Sequence, residues 1–276
     1  NATLATQLKP LGDAIDTIRT LAPGRKILVC GLAFEGTTDI WRRLGADAIA
    51  TSIDTAVAQQ AQVDALTARG VDLAGLERAD GESFRWRGRY RHDLNSAETL
   101  ETRLGVFSHF RPKIPAQFRT AKYVFLGNID PRLQLDVLRQ VEKPKLVACD
   151  TMNFWIESRR EDLLTLLKQV DLITLNDGEA RQLTEKANLV QAARWILDRG
   201  PHTVVIKRGE YGAMLFRRDS YFIVPGYLLE DVFDPTGAGD CFAGGFIGYL
   251  AEHGFDLEGD HISRGMLSRA VIYGSV

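Results

Sequence analysis

Short apolar, often β-branched runs alternate with longer stretches of helical periodicity along this chain. The runs are KILVC at 26–30, YVFL at 123–126, LVAC at 146–149, LITL at 172–175 and TVVIK at 203–207. They are continuous rather than alternating, as strands buried on both faces of a parallel sheet require. Helical patterns occupy 133–141, 158–169, 178–186 and 189–199 between them. The order βαβα predicts an α/β fold, a doubly wound and mainly parallel sheet flanked by helices. Ligands of such folds collect at the carboxyl ends of the strands. The polar residues just beyond the runs are therefore the first candidates: Asn128 and Asp130, Asp150 and Asn153, Asn176 and Glu179, Arg208 and Gly209.

Two segments carry a different period. At 84–91 the string FRWRGRYR alternates large apolar groups with arginine, the pattern of a strand with one covered and one wet face. Residues 214–216 and 221–224, separated by RRDS, predict a β-hairpin. Four arginines among aromatics also fit a single-stranded nucleic-acid ribbon. The chain as a whole argues against that: 34 basic and 36 acidic residues give a net charge of -2, so no global field draws nucleic acid or an anionic membrane. A lid strand over an active site is the preferred reading.

The remaining composition is that of an ordinary globular chain of 276 residues, 45% of them hydrophobic. Cys30, Cys149 and Cys241 form no CxxC pair, and the five histidines show no metal-ligand spacing. No run reaches the roughly 18 apolar residues of a membrane span, and no export signal opens the chain, so a cytoplasmic protein is expected.

The most informative string is DPTGAGDCFAGGFIGYL at 234–250. From Phe242 onward, Phe242, Phe246, Tyr249 and Leu250 recur at helical spacing, while Gly244, Gly245 and Gly248 permit close approach of another element. A helix is thus predicted to begin right after a Gly-Ala-Gly turn. Its first amides lack intrahelical partners and its dipole is positive there, a seat for phosphate oxygens. Asp240 at that entrance has the position of a general base for a hydroxyl attacking phosphorus, and the amides of Gly237, Ala238 and Gly239 would form the anion hole. As an isolated feature, Asp240 reads equally as an N-cap and the glycines as a tight turn.

The whole string resembles the second signature of the PfkB/ribokinase family of sugar and nucleoside kinases, including its place near the end of the chain. The resemblance runs over about residues 67–276 and implies a ribokinase-like fold with a small β lid at about 82–93. ATP and Mg2+ are the implied cofactors, and a sugar or nucleoside is the implied acceptor. LNDGEA at 175–180 is similar to the family's Asn-x-x-Glu element, which implies Asn176 beside the phosphates and Glu179 beside the metal. KRGEYGA at 207–213 is similar to the strand-end turn next to the nucleotide, implying contacts from Lys207, Arg208, Gly209 and Gly212, with Thr236 added from the signature. DTMN at 150–153 is similar to the family's Asp-x-Asn element and makes Asp150 and Asn153 substrate candidates, although FWIE at 154–157 departs from the usual arginine-containing continuation. The family also allows a homodimer through the lid.

Residues 1–66 lack the family's Gly-Gly segment that grips sugar hydroxyls. PGRKILVCG at 23–31 and WRRLGAD at 41–47 instead resemble the end of a flavodoxin-like cobalamin-binding domain, without its cobalt-ligand motif. The expected organisation is an N-terminal α/β segment at 1–66 outside the kinase pattern and a kinase domain at 67–276, shortened at its C-terminus. Two other functions stay open beside the kinase: a nucleotide-binding remnant without turnover, and a cobalamin-linked regulatory fusion.

Overall fold

The alternation of side chains along the central strands decides which helices cover each face of the sheet. The computed structural model describes residues 28–30, 48–50, 63–64, 67–68, 70–82, 84–90, 95, 97–230, 232, 235–254, 257–258 and 261–276. The sheet strands are β1 (Leu28–Cys30), β2 (Ala48–Ala50), β5 (Tyr123–Leu126), β6 (Leu146–Asp150), β7 (Leu172–Asn176), β8 (Thr203–Lys207), β9 (Ala213–Phe216) and β10 (Tyr221–Val224). They form one eight-stranded sheet in the order β10-β9-β8-β7-β6-β5-β1-β2. The six from β8 to β2 are parallel, and β9 and β10 add the predicted hairpin antiparallel to the edge. The run at 26–30 is thus a strand from Leu28 onward; its first two positions lie outside the described residues.

Val124, Leu126, Val147, Cys149, Ile173, Leu175, Val204 and Ile206 point to one face. There they meet α1 (Pro131–Leu138), α2 (Asn153–Ser158), α3 (Arg160–Leu167), α4 (Asp177–Thr184) and α5 (Leu189–Leu197). The intervening positions, among them Phe125, Leu146, Ala148, Leu172 and Val205, meet α6 (Ala238–His253) and α7 (Arg264–Gly274) on the other face. Each large apolar side chain buried this way contributes roughly 1.5–3 kcal/mol.

The helices start where local chemistry satisfies their orphan amides. Asp130 caps α1 ahead of Pro131, Asn188 caps α5, and Ser263 caps α7. The helix expected at 158–169 is α3, and Arg159, at φ -140 and ψ 35, separates it from the preceding short α2, which the periodicity did not predict. Of the glycines in α6, Gly245 provides the expected close approach, since a β-carbon there would stand 3.3 Å from the Gly274 α-carbon.

The arginine and aromatic ribbon is β3 (Arg85–Tyr90), with its arginines exposed and Trp86 and Tyr90 half-buried. It pairs antiparallel with β4 (Ala97–Arg103), a separate two-stranded sheet with an irregularity at Arg87/Gly88. β4 has no apolar alternation in its sequence, AETLETR, so its pairing with β3 was illegible from pattern. A small hairpin of β11 (Leu257–Glu258) and β12 (His261–Ile262) precedes α7. No helix among the described residues is long and apolar enough to cross a membrane.

Candidate active site

At the carboxyl ends of β6, β7 and β8, four ionisable side chains converge under the first turn of α6. Asp150 ends β6, Glu179 lies in the first turn of α4 after β7, Lys207 ends β8, and Asp240 occupies the first turn of α6. Lys207 is the hub. Its Nζ donates to Asp150 Oδ2 at 3.4 Å, with the two side chains only 17% and 7% exposed. Asp150 Oδ1 accepts from the Thr151 amide at 2.7 Å.

Charge pairing dominates the electrostatics. Burial alone would lower the Lys207 pKa, yet the charges of Asp150, Glu179 and Asp240, in that order of size, hold it above the ordinary lysine value. Burial raises Asp150, opposed chiefly by the Lys207 charge. Burial pushes Glu179 up to about 7, with Lys207 pulling the other way. Burial and then the Asp150 charge push Asp240 up to about 7, again against Lys207. One ammonium thus serves three acids, and all three carry raised pKa values.

Asn176 and Glu179 form a complete capping box: the Glu179 amide donates to Asn176 Oδ1 at 2.8 Å, and the Asn176 amide donates to Glu179 Oε2 at 2.8 Å. The sequence reading of these two as helix cap is therefore satisfied in full. The box also fixes the Glu179 carboxylate at the strand-to-helix junction, with one oxygen engaged and the other left for a further contact.

α6 begins at Ala238, so Gly239 lies inside its first turn rather than ahead of it. Gly237 is the N-cap at φ +86, a left-handed conformation that glycine adopts without penalty. The Ala238 amide donates to Pro235 O at 3.1 Å, and the Cys241 amide to Gly237 O at 2.9 Å. The Gly239 and Asp240 amides belong to the first turn, whose donors have no intrahelical carbonyl to reach. Thr236 Oγ1 donates to the Tyr90 hydroxyl of β3 at 3.4 Å, which places the ribbon against the glycine turn. Asp234 lies outside the described residues.

Arg208 to Gly212 form a one-turn loop between β8 and β9, closed by the Arg208 amide donating to Gly212 O at 2.7 Å. Gly212 sits at φ +85, and a β-carbon there would stand 2.1 Å from Val224 O, so the position is restricted to glycine by both conformation and space. Asn95, between β3 and β4, clamps this loop: its Oδ1 accepts from the Glu210 amide at 2.9 Å and its Nδ2 donates to Glu210 Oε1 at 3.0 Å. Sequence reasoning missed Asn95, because a lone asparagine between strands carries no pattern. Gln134 was missed too. It is buried, and its Nε2 donates to the carbonyls of Leu126, Gly127 and Asp150, tying β5 to β6 where both end.

Asn153 is the first residue of α2, which packs on the sheet face opposite α6, and no hydrogen bond ties it to the Lys207 cluster. For Mg2+, the donor set is oxygen-rich and acidic, as a hard cation requires. No group of three or more ligating side chains gathers among the described residues. Such a donor set would suit a cation held mainly by phosphate oxygens and water rather than by a cage of protein ligands.

A family model described as pfkB family carbohydrate kinase matches residues 92–266. A cytidine kinase of Thermococcus kodakarensis is 30% identical over 241 residues, 85% of this chain and 84% of that protein. A nucleoside kinase of Methanocaldococcus jannaschii is 25% identical over 154 residues, 56% of this chain and 49% of that protein. Among solved structures, the M. jannaschii nucleoside kinase superposes with a TM-score of 0.66 at 16% identity, covering 91% of this chain and 89% of that one. A putative ribokinase II from E. coli in complex with ATP and Mg2+ gives 0.65 at 19% identity, covering 91% and 90%. The 85% of this chain matched to the cytidine kinase exceeds the share made up by residues 67–276, so sequence likeness to a kinase reaches into the first 66. The flavodoxin-like cobalamin-domain reading of residues 1–64 is accordingly not borne out. The chain belongs to the pfkB family of carbohydrate kinases.

Proposed function

We propose that this chain transfers the γ-phosphoryl group of MgATP to a hydroxyl of a nucleoside or sugar, with Asp240 as the general base. The observation that carries this reading is the seat of Asp240: a carboxylate in the first turn of α6, beside that turn's amides and the Lys207 ammonium. As the acceptor oxygen attacks the γ-phosphorus, its proton passes to the Asp240 carboxylate. The new O–P bond forms while the bond from the γ-phosphorus to the β,γ-bridging oxygen breaks, and ADP leaves. A base whose pKa stands at about 7 is matched to neutral pH.

The anion hole assigned to the Gly237–Gly239 segment draws first on Gly237 and Gly239, since the Ala238 amide is already donated to Pro235 O. Glu179 would hold Mg2+ through its free oxygen, with Asn176 beside the phosphates. Held there, the cation would supply positive charge to offset that of the phosphates. Lys207, Arg208, Gly209, Gly212 and Thr236 are assigned to the nucleotide side, and Asp150 and Asn153 to the acceptor side. A nucleoside is favoured as acceptor because the two relatives matched over 241 and 154 residues bear the names cytidine kinase and nucleoside kinase.

The test is ADP production from MgATP with cytidine, uridine, adenosine, ribose and fructose, comparing the wild type with Asp240→Asn. Turnover on at least one nucleoside, lost in the variant, is expected. An undiminished variant removes the proposed base. Thermal stabilisation by ATP with no ADP formed across the panel points instead to a binding protein without turnover.

A further inference from the structure

On the sheet face opposite α6 lies a second cavity, of about 390 Å³, between α1, α2 and the turn at Gly105–His109. None of Asp150, Glu179, Lys207 and Asp240 is among the residues that line it. Its size is within the range of small-molecule sites. Phe107 and Phe154 provide apolar walls, and Arg111, Arg132 and Arg159 bring three guanidiniums to it.

The charges do not cancel. Asp130 takes Arg132, whose Nη2 stands 2.6 Å from Oδ2, and also faces Arg159 Nε at 3.6 Å, while Arg132 Nε faces Asp162 at 4.0 Å. Asp136, the other carboxylate of the lining, is engaged by Arg139. Arg111 donates to the Phe110 carbonyl at 2.8 Å and makes no ion pair among the described residues. A positive excess is left at the cavity.

A guanidinium matches carboxylate and phosphate oxygens in a planar fork, and a ring fits between aromatic walls.

We infer that this cavity is a binding site for a small organic anion, a phosphate or carboxylate carried on a planar ring, separate from the phosphotransfer centre. The inference does not rest on the proposed catalytic role of Asp240.

Phenyl phosphate is the probe, titrated into the full chain by calorimetry and by tryptophan fluorescence, with phenol and inorganic phosphate as the ring alone and the charge alone. Phenyl phosphate is expected to bind at least ~10-fold more tightly than either fragment, and Arg111→Gln to weaken it by ~10-fold. Saturating ADP is expected to leave the binding in place. Arg111 is exposed and bonded only to a neighbouring carbonyl, so this variant keeps its fold, which a matching melting temperature verifies; Arg159→Gln is the second variant and is expected to weaken binding as well. Absence of binding, binding indifferent to both substitutions, or displacement by ADP overturns the proposal.

Discussion

A β-carbon built on Gly239 stands 3.0 Å from the Lys207 ammonium nitrogen, so the first turn of α6 rests against the cation that Asp150, Glu179 and Asp240 share. The amides proposed to receive phosphate and the charge that balances the acids are therefore neighbours, and a side chain at position 239 would link them by pressing on that charge.

Gly239→Ala tests that link directly. Alanine favours a helix by about 1 kcal/mol over glycine, so the melting temperature is expected to hold or rise. The methyl must displace Lys207 Nζ by a few tenths of an ångström, and kcat/KM is expected to fall by about tenfold. Steady-state kinetics beside a melting curve separates the two effects. A variant with wild-type kcat/KM contradicts the link.

Asp240→Asn is expected to lower kcat by about 10²–10⁴, the usual contribution of a positioned base. Its pH behaviour carries a second signature. The folded pKa of Asp240, about 7, lies above the ordinary value of 3.8, so the folded state holds the proton more tightly than the unfolded chain. The stability gained is fully present below pH 3.8 and is lost as pH rises through about 7. Melting of the ligand-free wild type between pH 5 and 8 should show this decline, and the asparagine variant a smaller one. Activity should run the opposite way in the wild type, rising as the base ionises.

Lys207→Met removes the shared cation and leaves three acids facing one another. Breaking a buried ion pair by deleting one partner costs about 3–5 kcal/mol, less wherever the remaining groups take up protons. The loss measured by denaturant unfolding is expected to be larger at pH 8 than at pH 6. Equal losses at both pH values would show that the acids do not sense Lys207.

Glu179→Gln separates capping from cation binding. Glutamine at the third helical position retains the capping box, so stability should change by less than about 0.5 kcal/mol. The Mg2+ concentration for half-maximal activity should rise by about tenfold or more, because a neutral amide is a poorer ligand for a hard cation. Asn176→Ala, by contrast, removes the cap and should cost about 1 kcal/mol. An unchanged Mg2+ requirement in Glu179→Gln would take the metal role away from this residue.

Much of the scaffold was legible because its signals are local. The continuous apolar runs at 123–126, 146–149, 172–175 and 203–207 became parallel strands, and the Arg85–Tyr90 ribbon shows the wet and covered faces that its alternation predicts. The glycine string before α6 and the Asn176 cap are equally local, each read from residues within one turn. β4 was not legible, since its threonines and glutamates show no apolar period and its pairing with β3 supplies the order. The helix at Asn153–Ser158 was not legible either, because six residues are too few to show a helical period before Arg159 ends it.

The sequence by itself determined where most strands and helices form and that a glycine turn opens α6, because those choices depend on neighbours one turn or one pleat away. Tertiary structure alone decided that Asp150, Glu179, Lys207 and Asp240 share one charge balance, and that Asn95 reaches the loop at Glu210. These residues lie on different elements, brought together by strand order and register. Their pKa values follow from burial and from charges distant in sequence, which no local pattern encodes.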